Sequence, residues 1–249
     1  MNDAMARKLF DTFIHRVTDL MKLHTRPFVA IMAGAEIGTG TFIERAGTKA
    51  LTCAHVAAFN PDAHYVDPTG STVIHPGIWC TELDHTVDAA FAPIADGEWN
   101  KIAARARQLS MARFAQRHEP VASELLFFRG IAGENAPYVG SFGARAILSG
   151  YCSQEKQGSG DSNIFEMLWK PGGATVTAGT SEEARNQVMY DDPAGFSGSL
   201  VWNTRFVESG CDLTKWTPDD AVVTGLLRRY DEATGTLLAW RVEHLLAWL

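Results

Sequence analysis

The stretch Asp191-Asp192-Pro193-Ala194-Gly195-Phe196-Ser197-Gly198-Ser199-Leu200-Val201 places a serine between glycines, just before an apolar run. Its proline and glycines predict a tight turn that leads into a β-strand. A serine hydroxyl is a weak nucleophile until a base takes its proton, so Ser197 needs a partner elsewhere in the chain. Because glycine allows unusual backbone geometry, the N–H groups of Gly195 and Ser197 could both point at a developing oxyanion.

Two earlier stretches supply the groups that such a serine needs. Leu51-Thr52-Cys53-Ala54-His55-Val56 ends a β-rich run in a histidine, a side chain that can take a proton at one step and return it at the next. His85-Thr86-Val87-Asp88-Ala89-Ala90-Phe91-Ala92 opens a small apolar strand with an aspartate, which is costly to bury unless it is paired. Each stretch alone fits an ordinary structural role. Together they predict a histidine base held by an aspartate beside the serine.

The rest of the chain is typical of an all-β protein with a few added helices. Short apolar runs broken by glycine begin at Phe28, which predicts many short strands in barrels or a sandwich. Residues 1–26 predict an amphipathic N-terminal helix, either packed on the body of the protein or free to dock a partner. The segment from Glu98 to Gln116 predicts an inserted surface helix, and Val242 to Leu249 predicts a closing C-terminal helix.

Composition and charge argue against several classes of function. The formal net charge of −7 disfavours a broad nucleic-acid-binding surface. No apolar run is long enough to span a membrane, and the first residues carry no secretory signature, so a cytoplasmic location is expected. The four cysteines show no CxxC spacing and are expected to be free thiols, so neither a metal nor a cofactor is implied.

The three stretches together resemble the trypsin-like (chymotrypsin-fold) serine proteases, in which histidine, aspartate and serine follow each other in this order. The resemblance covers roughly residues 28–249 and is strongest for compact bacterial members without disulfides. It implies two antiparallel six-stranded β-barrels, over about residues 27–117 and 118–249, with the active site between them. It also implies a catalytic triad of His55, Asp88 and Ser197 that cleaves peptide bonds through an acyl-enzyme intermediate, with Gly195 and Ser197 as the oxyanion hole.

Phe196 departs from the family pattern. Secreted members carry an aspartate before the serine, and this aspartate pairs with a freshly cut N-terminus to shape the oxyanion hole. Phenylalanine cannot form that ion pair, and the predicted N-terminal helix takes the place of an activation peptide. We therefore expect local packing or a regulatory protein partner, rather than cleavage, to shape the turn.

The specificity pocket is predicted from the same resemblance. Asp191 lies at the position of an acidic pocket floor, which favours cleavage after Arg or Lys; alternatively, it is a solvated loop acid. The strand that contains Arg228 and Tyr230 resembles a pocket wall, and Gly235 is placed on the opposite wall. Arg228 or Arg229 could neutralise Asp191, or could itself select acidic residues.

Two functions from different classes follow from these observations. The first is an intracellular endopeptidase that acts on proteins or peptides and is switched on by a partner. The second is a binding module on the same fold, with its chemistry lost or latent. Covalent labelling by a fluorophosphonate distinguishes them, because only a working triad makes Ser197 reactive.

Overall fold

Two β-sheets make up most of the structure, a computed structural model that describes residues 13–22, 25, 29–33, 36–67, 70–81, 87–131, 148–156, 158, 160–170, 175–178 and 193–249. The first sheet contains β1 (Val29–Ala33), β2 (Glu36–Glu44), β3 (Thr48–Thr52), β4 (Asp62–Asp67), β5 (Gly70–Ile74), β6 (Cys80–Thr81), β7 (Ala90–Pro93) and β8 (Leu109–Ser110). The second contains β9 (Leu126–Ile131), β10 (Leu148–Ser153), β11 (Ile164–Leu168), β12 (Thr175–Ala178), β13 (Leu200–Asn203), β14 (Val222–Asp231) and β15 (Thr236–Arg241).

The strand order gives each sheet the character of an open half-barrel. In the first sheet the order is β5-β4-β1-β2-β3-β7-β6, and β8 pairs with β2 in parallel. In the second sheet the order is β11-β15-β14-β13-β9-β10-β12, and the pairs are antiparallel. The predicted mostly-β class is confirmed, but the described strands number eight and seven rather than six and six. The two-residue strands β6 and β8 are too short for the sequence to signal.

Four α-helices and two 3₁₀ turns accompany the sheets in the described part of the chain. The α-helices are α1 (residues 13–22), α2 (Ala54–Ala57), α3 (Asp96–Trp99) and α4 (Val242–Trp248), and the 3₁₀ turns are Met111–Arg113 and Pro218–Asp220. Val17 and Met21 of α1 are fully buried, so the described part of the predicted N-terminal helix packs on the body. The predicted C-terminal helix is present as α4. Within the described ranges, no helix has the length and apolarity needed to cross a membrane.

The prediction of an inserted helix between Glu98 and Gln116 is wrong. Only α3 and a 3₁₀ turn over Met111–Arg113 are helical there, and β8 lies between them. The hydroxyl of Ser110 accepts a hydrogen bond from the N–H of Ala112 and so begins a new turn. Phe114 then forms a bridge to Val223 of β14, so pairing with the second sheet overrides helix propensity in this segment.

Three hydrophobic clusters form the core. One lies in the first sheet and contains Phe42, another lies in the second sheet and contains Phe128, and the third joins the two sheets. Ile43 follows Phe42 in β2, and Phe127 precedes Phe128 in β9. Both belong to the joining cluster, because neighbouring side chains of a strand point to opposite faces. Strands β2 and β9 are therefore buried on both faces.

Candidate active site

His55 and Asp88 are held together by two hydrogen bonds. His55 lies in α2, directly after β3, and Asp88 lies just before β7, which pairs with β3. His55 Nδ1 is 2.7 Å from Asp88 Oδ2, and the backbone N–H of His55 donates to Asp88 Oδ1 at 3.0 Å. One carboxylate therefore fixes both the backbone and the ring of the histidine. Nε2 remains the ring nitrogen through which a proton can be exchanged.

The surroundings of Asp88 favour its ionised form. Burial is the largest single influence and pushes the pKa of this carboxyl upward. The hydrogen bonds and charge of His55, together with the charge of Arg228, outweigh burial and lower the pKa below its usual value. The carboxylate is thus ready to stabilise a positive charge on the imidazole.

Ser197 lies in a turn that two glycines make possible. Gly195 has a φ of 94° and Gly198 a φ of 90°, both in the left-handed region. The N–H of Phe196 donates to the carbonyl of Pro193 at 3.2 Å, which closes a four-residue turn whose third residue is Gly195, as in a type II turn. Among the described residues, no acceptor receives the N–H of Gly195 or of Ser197, so both donors are available to an oxyanion.

Strand β14 brings the histidine and serine segments side by side. The carbonyl of Leu227 accepts a hydrogen bond from Cys53 Sγ at 3.2 Å and another from the N–H of Gly198 at 2.9 Å. Cys53 is two residues before His55, and Gly198 directly follows Ser197. A single carbonyl therefore links the two segments, although they belong to different sheets.

The hydroxyl of Ser197 donates to the carbonyl of Arg228 at 2.8 Å. Among the described residues, the hydroxyl of Ser197 forms no other hydrogen bond, and the ring of His55 bonds only to Asp88. Transfer of the serine proton to His55 Nε2 requires the hydroxyl to leave that carbonyl. Such contacts commonly tighten only when substrate binds.

Comparison with known proteins identifies the fold. No family model matches the chain, and no curated protein matches it. A Rv3671c protease structure from M. tuberculosis, in its active form, is 14% identical over 94% of this chain and 84% of that chain, with a TM-score of 0.52. A Glu endopeptidase structure is 14% identical over 89% and 87%, with a TM-score of 0.53. The MamO protease domain from Magnetospirillum magneticum is 12% identical over 91% and 98%, with a TM-score of 0.50.

The chain has the chymotrypsin-like serine protease fold. At these identities the likeness shows the fold. The site described above lies between the two sheets of that fold.

A thiol lies beneath the histidine and the aspartate of this chymotrypsin-like fold. Potential ligand atoms of Cys53, His55 and Asp88 lie within 4.8 Å of one another, a spacing that could hold a metal ion. Burial, followed by the charge of Asp88, raises the pKa of the Cys53 thiol. A neutral thiol that donates to Leu227 is a poor metal ligand, so we interpret Cys53 as a packed neighbour of the site.

The residues predicted to form the specificity pocket have different surroundings in the structure. Asp191 lies outside the described residues. The guanidinium of Arg228 approaches Asp88, with Nε 3.5 Å from Oδ2, while Arg229 is exposed. Tyr230 packs on the cluster of the second sheet, and Gly235 adopts a φ of 65° in the turn between β14 and β15. The pocket itself stays a prediction.

Two contributors to the site were missed by the sequence analysis. One is Arg228 as the neighbour of Asp88, and the other is Thr39 of β2, which contacts the serine turn. Gly38 and Gly40 flank Thr39 in the sequence, and glycine inside a strand is a signal of close backbone approach. Nothing local to Arg228 distinguishes it from the exposed Arg229.

Proposed function

We propose that the protein is a serine endopeptidase in which Ser197 is the nucleophile and His55 is the general base. The observation that carries the proposal is the two-point attachment of His55 to Asp88 beside a serine turn in which two N–H groups have no acceptor among the described residues. Ser197 Oγ gives its proton to His55 Nε2 and bonds to the carbonyl carbon of the substrate. Asp88 stays ionised, in keeping with its lowered pKa, and stabilises the imidazolium that forms.

The N–H groups of Gly195 and Ser197 are the proposed oxyanion hole. When the tetrahedral intermediate forms, its oxygen carries the negative charge, and two prepositioned donors stabilise that charge more than they stabilise the ground state. His55 then returns the proton to the leaving amine, and the peptide bond breaks. Water hydrolyses the acyl-enzyme by the same steps.

The proposed substrates are proteins or peptides, in a cytoplasmic setting. Cys53 and Cys152 are buried free thiols, and free thiols are typical of a reducing compartment. We also propose that a regulatory protein partner controls the site, since the hydroxyl of Ser197 has to move from Arg228 to His55 before it can react.

Covalent labelling tests this function directly. A fluorophosphonate forms an Ser197 Oγ–phosphorus bond with loss of fluoride, and both labelling and peptide cleavage should be abolished in Ser197→Ala and His55→Ala. Asp88→Asn should lower kcat about 10⁴-fold, because the ring loses its preferred tautomer. Ser153→Ala is the matched control, since its hydroxyl also donates to a backbone carbonyl, that of Leu168, within the second sheet. Equal turnover by the wild type and Ser197→Ala would overturn the proposal.

A silent or latent binding module is the second candidate. The hydrogen bond from Ser197 to the carbonyl of Arg228 favours it, because a hydroxyl held there is not activated by His55. This candidate predicts that the wild type is neither labelled nor active on a denatured-protein or peptide library. Labelling that appears only after a partner is added would identify a latent enzyme.

A further inference from the structure

Phe196, the residue before Ser197, supports the serine turn by packing and not by an ion pair. Phe196 is 1% exposed and lies in an aromatic cluster, with its ring centroid 5.0 Å from that of Phe128 and 6.1 Å from that of Trp169. An apolar side chain in this place cannot receive an ammonium group. Packing fixes the position of the ring, but it does not by itself fix the orientation of the neighbouring peptide groups.

Thr39 contacts the turn through two hydrogen-bonding groups and is tied to β3 through a third. Its N–H donates to the carbonyl of Ser197 at 2.8 Å, and its hydroxyl donates to the carbonyl of Gly195, also at 2.8 Å. Its own carbonyl accepts from Thr52 Oγ1 at 2.7 Å. One fully buried residue therefore holds the carbonyls of both residues whose N–H groups form the proposed oxyanion hole.

The direction of the Thr39 hydroxyl proton is determined by its surroundings. The N–H of Ile131, at the end of β9, donates to Thr39 Oγ1 at 3.1 Å. This N–H occupies a lone pair of Thr39 Oγ1. Because a carbonyl oxygen can only accept, the hydroxyl proton of Thr39 is directed to the carbonyl of Gly195. Without the hydroxyl, this buried carbonyl would lose its donor, and the peptide group between Gly195 and Phe196, which lies between the two oxyanion donors, would no longer be held in place.

We infer that Thr39 is the positioning residue that keeps the turn around Ser197 competent to bind an oxyanion. Its hydroxyl holds the turn in place, a role that the family resemblance assigns to an ion pair at the residue before the serine. This inference rests on the proposed function, because an oxyanion hole matters only if Ser197 reacts.

Variants of Thr39 test the inference. Thr39→Val keeps the shape of the side chain and removes the hydroxyl, and it should lower kcat by about tenfold to a hundredfold while KM stays unchanged. The fluorophosphonate should label it more slowly by a similar factor, since the phosphonyl oxygen uses the same donors. Thr39→Ser restores the hydroxyl and should recover most of the rate. Thr41→Val is the matched control, because Thr41 is also buried on β2 and the described residues offer its hydroxyl no partner.

The outcomes separate this inference from the function on which it rests. If the wild type cleaves and is labelled but Thr39→Val does so at the same rate, the inference fails and the endopeptidase stands. If Thr39→Ser is as slow as Thr39→Val, the hydroxyl is not the group responsible. If the wild type is inert, a crystal structure of Thr39→Val still decides: unchanged positions of the Gly195 and Ser197 N–H groups overturn the inference, and reoriented N–H groups support it.

Discussion

At the scale of single residues, Arg228 contributes two different groups to the site. Its carbonyl accepts the hydroxyl of Ser197, and its side-chain Nε lies 3.5 Å from Asp88 Oδ2. The guanidinium also lies over the ring of Trp240, 5.1 Å from the centroid, which limits its freedom to swing away. The same residue therefore contacts Ser197 through its backbone and Asp88 through its charge.

Removal of this charge should change how Asp88 titrates. In Arg228→Gln the pKa of Asp88 should rise, because a cation that favours the carboxylate is lost. An aspartate with a lowered pKa stabilises the fold above its unfolded pKa of about 3.9, and this stabilisation is lost as the pH falls through the folded pKa. In the variant this contribution should be smaller, and its loss should be complete at a higher pH, because the folded pKa lies closer to the unfolded one. Carbon NMR titration of the Asp88 carboxyl and unfolding in urea at acid pH would measure both effects.

Arg229 supplies the control for this experiment. It is adjacent to Arg228 but exposed, so Arg229→Gln should leave the titration of Asp88 as it is in the wild type. An unchanged pKa of Asp88 in Arg228→Gln would show that solvent already screens the guanidinium.

The contact between His55 and Asp88 could be anticipated because each residue has a local context that signals its role. Thr39 and Arg228 have no such context. The hydrogen bond from Thr39 to Gly195 joins residues 156 apart in the sequence, and it exists only because β2 approaches the serine turn. Contacts of this kind depend on how the sheets pack, which sequence patterns do not encode locally.

At the scale of elements, strand β9 passes close behind the serine turn. A Cβ added at Gly130 would lie 2.5 Å from Ser199 Oγ and 2.7 Å from both Phe196 Cδ1 and Thr39 Oγ1. These three atoms belong to the side chains that support the turn. The absence of a side chain at Gly130 therefore lets β9, β2 and the serine turn meet.

Gly130→Ala should disturb stability and turnover together. The added methyl group overpacks this contact and should lower the free energy of unfolding by about 1–3 kcal/mol. Because it displaces Phe196 and Thr39, it should also lower kcat. Gly97→Ala is the control, since a Cβ there meets nothing within 4 Å, and its effect should stay below about 1 kcal/mol. Denaturant unfolding and steady-state kinetics would check both, and wild-type kcat in Gly130→Ala would contradict the prediction.

The elements also show where sequence patterns are informative. Strands β3, β7, β13 and β14 were anticipated because each is an apolar run bounded by turn residues. The segment between Glu98 and Gln116 was misread because its apolar residues serve two partners. Ile102 belongs to the cluster of the first sheet, whereas Phe114 belongs to the cluster that joins the sheets. No single helical face could satisfy both.

At the scale of the whole molecule, the C-terminal helix α4 connects the two sheets. Val242, Leu245 and Leu249 are buried in the joining cluster, which also contains Ile43 of the first sheet. Trp248 reaches the first sheet directly, with its ring centroid 5.1 Å from that of Phe91 in β7. The position of β7 matters for the site, since Asp88 lies two residues before that strand.

Truncation of a side chain in α4 should therefore weaken both sheets at once. Leu245 is 0% exposed, and Leu245→Ala should lower the free energy of unfolding by about 2–5 kcal/mol through lost burial and a cavity. Because the joining cluster draws on both sheets, unfolding should remain a single transition, with the same midpoint by fluorescence and by far-UV circular dichroism. Leu168→Ala removes a leucine that is 45% exposed and should cost less than about 1 kcal/mol. Two separate transitions in Leu245→Ala would instead show that each sheet folds around its own cluster and that the joining cluster adds little.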